Sequence, residues 1–326
     1  MTHLIGRIGI ALAAIGFGLV SAQAAHAQER YPSRPVQVII GANAGGGIDA
    51  ITRVLAELVE PHLGQKLVIE NKPGGGGTIG MALVAQAKPD GYTLLATWNS
   101  PVTSTVHSLK VPYTPDDFTP ILRMSSGAYV FCVAPDFPAA NGKEFIDQLK
   151  AKPNQYAYGN DGVGGTAQLA AERIFRAAGI QQRTIPFSGA LDVAKNFLGG
   201  YIPVYVGSIL PILPHVEAGK AKCPLLTSAE GNPSLPQAQG LRDVGLAGTA
   251  TVLWRAILGP KNMPADRVKV LETALRRAAE EPRFKEFLAK QGETLWLGGP
   301  NELRELIRDE HKALGEVSAA LGLKKP

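Results

Sequence analysis

Short apolar runs alternate with amphipathic stretches along most of this chain, and glycine-rich turns mark the joints. Val38-Ile39-Ile40 reads as a strand. After the turn at 41–49, Ile51, Val54, Leu55, Leu58, Val59 and Leu63 recur at three- and four-residue spacing, which predicts one amphipathic helix stopped near Gly64. Residues 67–70 read as a second strand that enters a second glycine turn at 71–80. A helix follows, with Thr78 as its N-cap and Leu83, Val84 and Ala87 facing the core, until a turn at 88–91 and a third strand at 92–97.

The rhythm restarts near Tyr129. Tyr156-Ala157-Tyr158 leads into a third glycine turn at 159–166 and a helix to Ala178 ending at Gly179. Thr184-Ile185-Pro186 leads through Ser188 and Gly189 into a helix at 191–198, closed by Gly199-Gly200. Two long helices end the chain, one capped by Asp266 and one by Asn301. No internal repeat or low-complexity linker interrupts the series. Strand and helix in alternation predict an α/β fold with mainly parallel sheets, here as two lobes facing a cleft.

The turns carry the candidate chemistry. Glycine admits positive φ and close backbone approach, and the first turn of a helix leaves N–H groups unpaired, so such loops suit a carboxylate or phosphate. What precedes them bears on which anion. Arg7, the apolar run of 13 residues at 8–20 and Ala25-His26-Ala27 form a secretory leader with cleavage after Ala27. A membrane span needs about 20 apolar residues, so the expected product is a soluble exported protein.

The chain has 326 residues, 45% hydrophobic and 19% charged, as in ordinary globular proteins. Its formal charge of +5 falls to +4 without Arg7, and aromatics make up 6%, which gives no nucleic-acid signature. Cys132 and Cys223 each sit in a strand-like run, and both a disulfide and two buried thiols stay open. His62, His107, His215 and His311 are scattered without an i, i+4 pair, which argues against a metal site, and no G-x-S-x-G elbow is present. Gly75-Gly76-Gly77-Thr78-Ile79-Gly80 fits the dinucleotide pattern, yet no acidic residue follows about 20 positions later. Neither a cofactor nor an enzyme activity is expected; an exported hydrolase is the enzyme alternative.

Several separated motifs together resemble the Bug family, periplasmic solute-binding proteins of tripartite tricarboxylate transporters. They are Gly45-Gly46-Gly47-Ile48-Asp49, the run from Glu70 to Gly80, Lys88-Pro89-Asp90-Gly91-Tyr92-Thr93-Leu94-Leu95 and Pro186-Phe187-Ser188-Gly189-Ala190. The resemblance implies a type II-like Venus flytrap, with lobe one at 28–128 and 228–326 and lobe two at 129–227. It further implies a monomer that takes a small organic carboxylate, a di- or tricarboxylate or an aromatic acid, to membrane permease subunits; a solute sensor for a signalling partner is the alternative. One end of the ligand would meet Asn43, Ala44, Gly45, Gly46 and Gly47 with Gly77, Thr78 and Ile79. The other end would meet Gly164, Gly165 and Thr166 with Ser188, Gly189 and Ala190. Asp49 reads equally as a helix-start residue or a water-holding group in the site, and Asn99 as a ligand donor or a turn residue. Trp98 reads as cleft wall or as a stacking partner.

Three departures bear on the ligand. Relatives often carry acids in the stretch that here reads Gly199-Gly200-Tyr201-Ile202-Pro203-Val204-Tyr205-Val206-Gly207, and their absence argues against an amino-acid ligand unless another acid such as Asp161 reaches the cleft. Gln168 replaces a frequent histidine, and Trp98 stands where small residues are usual.

Overall fold

The computed structural model describes residues 31–323, so the leader and its cleavage after Ala27 lie outside the described residues. Strand β1 (Val36–Ile40), helix α1 (Gly47–Leu63), β2 (Leu67–Asn71), α2 (Thr78–Ala85) and β3 (Thr93–Trp98) open the fold, with β1 parallel to both β2 and β3. Ile51, Leu55 and Val59 bury fully on α1, as their spacing places them on one face, against the buried Val36, Val38 and Ile40 of the sheet.

Strand β4 (Phe118–Val133) is followed by α3 (Gly142–Ala151), β5 (Tyr158–Asn160), α4 (Thr166–Ala178), β6 (Thr184–Pro186) and α5 (Ala190–Leu198). Then come β7 (Val204–Ser208), α6 (Leu213–Glu217) and β8 (Lys222–Leu226), with β5 parallel to both β6 and β7. The chain returns through β9 (Val252–Pro260), α7 (Ala265–Glu280), α8 (Pro282–Lys290), β10 (Glu293–Gly298) and α9 (Pro300–Ala320).

The strand order is β2-β1-β3-β9-β4-β7-β5-β6, with β8 and β10 also paired to β4. Strand β4 joins the halves. Its Ala128 pairs with Val252 of β9, and the next residue, Tyr129, pairs with Ser208 of β7. The outer strands of each half are parallel, as the alternation predicts, and the crossing strands add antiparallel pairing between them. All four glycine turns therefore leave the carboxyl ends of parallel strands, where open α/β sheets hold ligands.

Cys132 on β4 and Cys223 on β8 lie on neighbouring antiparallel strands and form a disulfide. Helix starts differ from expectation. The N-caps of α2, α7 and α9 are Gly77, Pro264 and Gly299, so Thr78, Asp266 and Asn301 fall inside the first turn. Gly77, at φ 97°, ends the turn one residue early, in a conformation that threonine rarely adopts. Asp266 then acts on the positive end of the helix dipole instead of capping it. Among the described residues no helix is long and apolar enough to cross a membrane.

Candidate functional site

The four turns gather where the lobes face each other and divide into two pairs. The turns before α1 and α5 border a cleft enclosing about 470 Å³ of empty space, part of it open to solvent. Asn43, Gly46, Gly47 and Ile48 wall it from one lobe, and Gly189, Ala190 and Leu191 from the other. Trp98, Tyr129, Asp161, Ser208, Leu253 and Arg255 complete the lining.

Helix α1 starts behind Gly46 and α5 behind Gly189, and neither N-cap has a side chain to offer the first-turn N–H groups. Both helix ends thus present free donors and partial positive charge. Asp49 braces the first turn from below: it accepts from Gly45 N–H, Arg53 Nε and Asn71 Nδ2, each at 2.9 Å. Burial would raise its pKa, but these bonds outweigh burial and hold it below the usual carboxylate range. Ala44 and Gly45 sit exposed at the loop tip. In the fourth turn Ser188 Oγ donates to the Asp192 carboxylate, which also accepts from Asn43 Nδ2 at 3.3 Å across the cleft.

The second and third turns meet each other instead. A Cβ at Gly162 would lie 3.3 Å from Gly76 Cα, so the two backbones pass in close contact. Gly77 packs against Trp98 and Pro101, Thr78 N–H donates to Gly75 O, and Ile79 is half exposed. On the other lobe Gly164 N–H donates to Gln168 Oε1 at 2.7 Å, and Gly165 N–H to Gly162 O at 3.1 Å. Thr166 N–H donates to Ser100 Oγ at 2.7 Å, and its hydroxyl pairs with Ser104 at 3.0 Å. None of these six candidates lines the cleft: Thr78, Gly164, Gly165 and Thr166 spend their N–H groups on protein, Gly77 packs against Trp98 and Pro101, and Ile79 is half exposed.

Asn99 reaches the cleft through a neighbour. Its Nδ2 donates to Val252 O and Glu310 Oε1, both at 3.0 Å, and its Oδ1 accepts from Tyr129 Oη at 2.9 Å. Burial pushes the Glu310 carboxyl up to about 7.

Among the polar lining residues, Tyr129, Ser208 and Arg255 were not sequence candidates, and Asp161 was noted only as an acid that could reach the cleft. Arg255 stands alone among the apolar residues of β9, and that break in pattern was its signal. It is buried and binds Glu293 through Nε at 2.8 Å and Nη2 at 2.5 Å, while Ser125 Oγ donates to the same carboxylate at 2.7 Å. A Cβ at Gly47 would lie 2.6 Å from Arg255 Nη2, so this buried arginine, not Arg53, is the cation against the first helix end. Its charge is matched by Glu293. Asp161, 5% exposed, follows β5, and its Oδ1 has no hydrogen-bond partner. Burial pushes its carboxyl up to about 7, with Arg255 and Trp98 partly offsetting the rise. Among the described residues no group of three or more His, Cys, Asp or Glu side chains is placed to hold a metal.

This geometry has counterparts. The family model described as tripartite tricarboxylate transporter family receptor matches residues 51–323. A UPF0065 protein of Bordetella pertussis is 31% identical over 306 residues, covering 94% of each chain. The solved periplasmic binding protein BugD superposes with a TM-score of 0.82 at 28% identity, over 91% of this chain and 100% of its own. MatC from Rhodopseudomonas palustris, solved with bound malate, gives 0.81 at 25% identity, over 88% of this chain and 99% of its own. The matched family is one of receptors and BugD is a periplasmic binding protein; neither is an enzyme. With the family model spanning most of the chain and the two-lobed fold matched over nearly all of it, the protein belongs to the tripartite tricarboxylate transporter receptor family, as a periplasmic solute-binding protein of the Bug type.

Proposed function

We propose that the protein captures a small carboxylate, a di- or tricarboxylate or an aromatic acid, in the interlobe cleft and delivers it to the permease subunits of a tripartite tricarboxylate transporter. One observation carries this reading: α1 and α5, one from each lobe, bring first-turn N–H groups without side-chain caps to the same cleft. Each helix end favours an anion by about 0.3–1 kcal/mol, and by more when buried. The malate bound to MatC supports the same ligand class. Lobe one comprises 28–128 and 228–326 and lobe two 129–227, supported by the change of partner on β4 between Ala128 and Tyr129. The mature protein starts at Gln28 and acts as a monomer. The ligand touches both lobes, so it holds them closed, and the permease reads the closed surface.

A thermal-shift screen of mono-, di-, tri- and aromatic carboxylates tests the reading. A ligand at 100 times its Kd stabilises the native state by about 2.7 kcal/mol, which raises the melting temperature by several degrees. If no member of these sets raises it, the carboxylate reading is given up.

A further inference from the structure

The cleft holds one group that a plain dicarboxylate leaves unsatisfied. Asp161 leaves β5 in the turn Asp161-Gly162-Val163-Gly164, where Gly162 N–H binds Asn160 Oδ1 at 3.0 Å and fixes the loop. Its side chain is buried, lines the cleft, and has an oxygen without a partner. The arginine and the tyrosine at the cleft floor are already engaged. Arg255 is tied to Glu293, and Tyr129 Oη gives its proton to Asn99. Free donors come from the ends of α1 and α5; the charged side chain with an unpaired acceptor is Asp161, through Oδ1. A ligand complementary to this arrangement carries carboxylate oxygens for the helix ends and an N–H or O–H for Asp161. A buried acceptor with no donor is costly, and a ligand N–H or O–H that reaches it removes that cost.

We propose that Asp161 is the specificity-determining residue of this cleft and selects carboxylates that bear a hydrogen-bond donor, an ammonium or a hydroxyl, beside the carboxylate. The inference rests on the carboxylate reading above. It also replaces the expectation, drawn from the missing acids at Pro203 and Gly207, that an amine is unwelcome: the acid stands on a different loop.

Matched ligand triplets test it by calorimetry on the purified protein at neutral pH. Succinate, malate and aspartate share one four-carbon skeleton; glutarate, 2-hydroxyglutarate and glutamate extend it by one carbon. The expected result is that, in the triplet that binds, a donor-bearing member exceeds the donor-free one by at least tenfold. Aspartate or glutamate ahead identifies an ammonium; the hydroxy acid ahead identifies a hydroxyl. In Asp161→Asn, which keeps the shape, an ammonium preference should fall to within about threefold of parity, and the donor-free diacid should bind at least as tightly as it does to the wild type. If the preference is for the hydroxyl, Asp161→Ala should abolish it. Should the Asn variant fail to fold, Asp161→Ser and the wild-type ranking still decide. A donor-free diacid that binds as tightly as its partners overturns the inference and leaves the carboxylate reading standing. Binding of no member of either triplet, together with a blank carboxylate screen, overturns both.

Discussion

The first and fourth glycine turns and the second and third share one sequence pattern, strand into glycines into helix, yet they end in different work. The first and fourth face an open space with bare helix ends. The second and third touch across the lobes and donate inward, to Gly75, Gln168, Gly162 and Ser100. Glycine content cannot separate these outcomes: a Cβ would strike Arg255 at Gly47 in the first turn and Ser108 at Gly164 in the third, yet meet nothing at Gly189 in the fourth. What separates them is the acceptor each turn finds. Gln168 lies one helical turn into α4, and Ser100 comes from the opposite lobe, so a donor that looks free in sequence is used in the fold.

The acids of the first and third turns give the largest expected difference. Asp49 is held below its usual range by three bonds, whereas burial pushes Asp161 up to about 7 from an ordinary 3.8. A raised folded-state pKa gives stability that is full below the unfolded value and is lost as pH rises through the folded one; a depressed pKa does the reverse. Without ligand, the wild type should therefore lose stability from about pH 4 to 7 on account of Asp161, by at most about 4 kcal/mol. Glu310, also raised to about 7, adds a loss of the same sign. Melting curves of Asp161→Asn across this range should be flatter than wild type, while Asp49→Asn should cost stability at neutral pH and little once pH falls below its folded value. Parallel curves for wild type and Asp161→Asn would show that the third turn does not hold its acid as buried as described.

The contact between lobes gives the next effect. A Cβ at Gly164 would collide with the side chain of Ser108 on the other lobe. Gly164→Ala should therefore hold the lobes apart and lower ligand affinity about 100-fold, or about 2.7 kcal/mol, since affinity falls with the closed fraction. Small-angle scattering should show no shrinkage at concentrations that close the wild type. Ser108→Gly in the same chain should restore most of the loss, leaving the cost of a side chain at φ +62°. Wild-type affinity in Gly164→Ala would mean that the third turn need not seat against Ser108 for binding.

Much of this was legible. Strands β1 to β3, the amphipathic face of α1 and the stop at Gly64 follow from local spacing, and the motifs between Gly45 and Ala190 carried the family. The hidden parts are those made by distant residues. Arg255 and Glu293 are separated in sequence, and each looks misplaced until the other is beside it. Asn99 reads as a loop donor until Val252 and Glu310, far along the chain, take its Nδ2 hydrogens. Asp161 was noted only as an acid that could approach; that one of its oxygens is left without a donor depends on the whole surrounding fold.

The smallest effect separates backbone from side-chain charge at the first turn. Gly46 is buried at the N-cap of α1, and a Cβ there would stand 3.2 Å from Asn43 O. The branches of a valine would shield the first-turn N–H groups from the ligand, so Gly46→Val should weaken binding about tenfold, or about 1.4 kcal/mol. Arg53 is half exposed and spends its guanidinium on Asp49 and Asn71. The guanidinium lies outside the cleft, so Arg53→Ala should leave affinity within about threefold of wild type. Calorimetric titration reads both. Were Arg53→Ala to abolish binding while Gly46→Val bound normally, the anion would be held by side-chain charge at the loop's outer face. The helix end that sets the first turn apart from the second would then have no part in recognition.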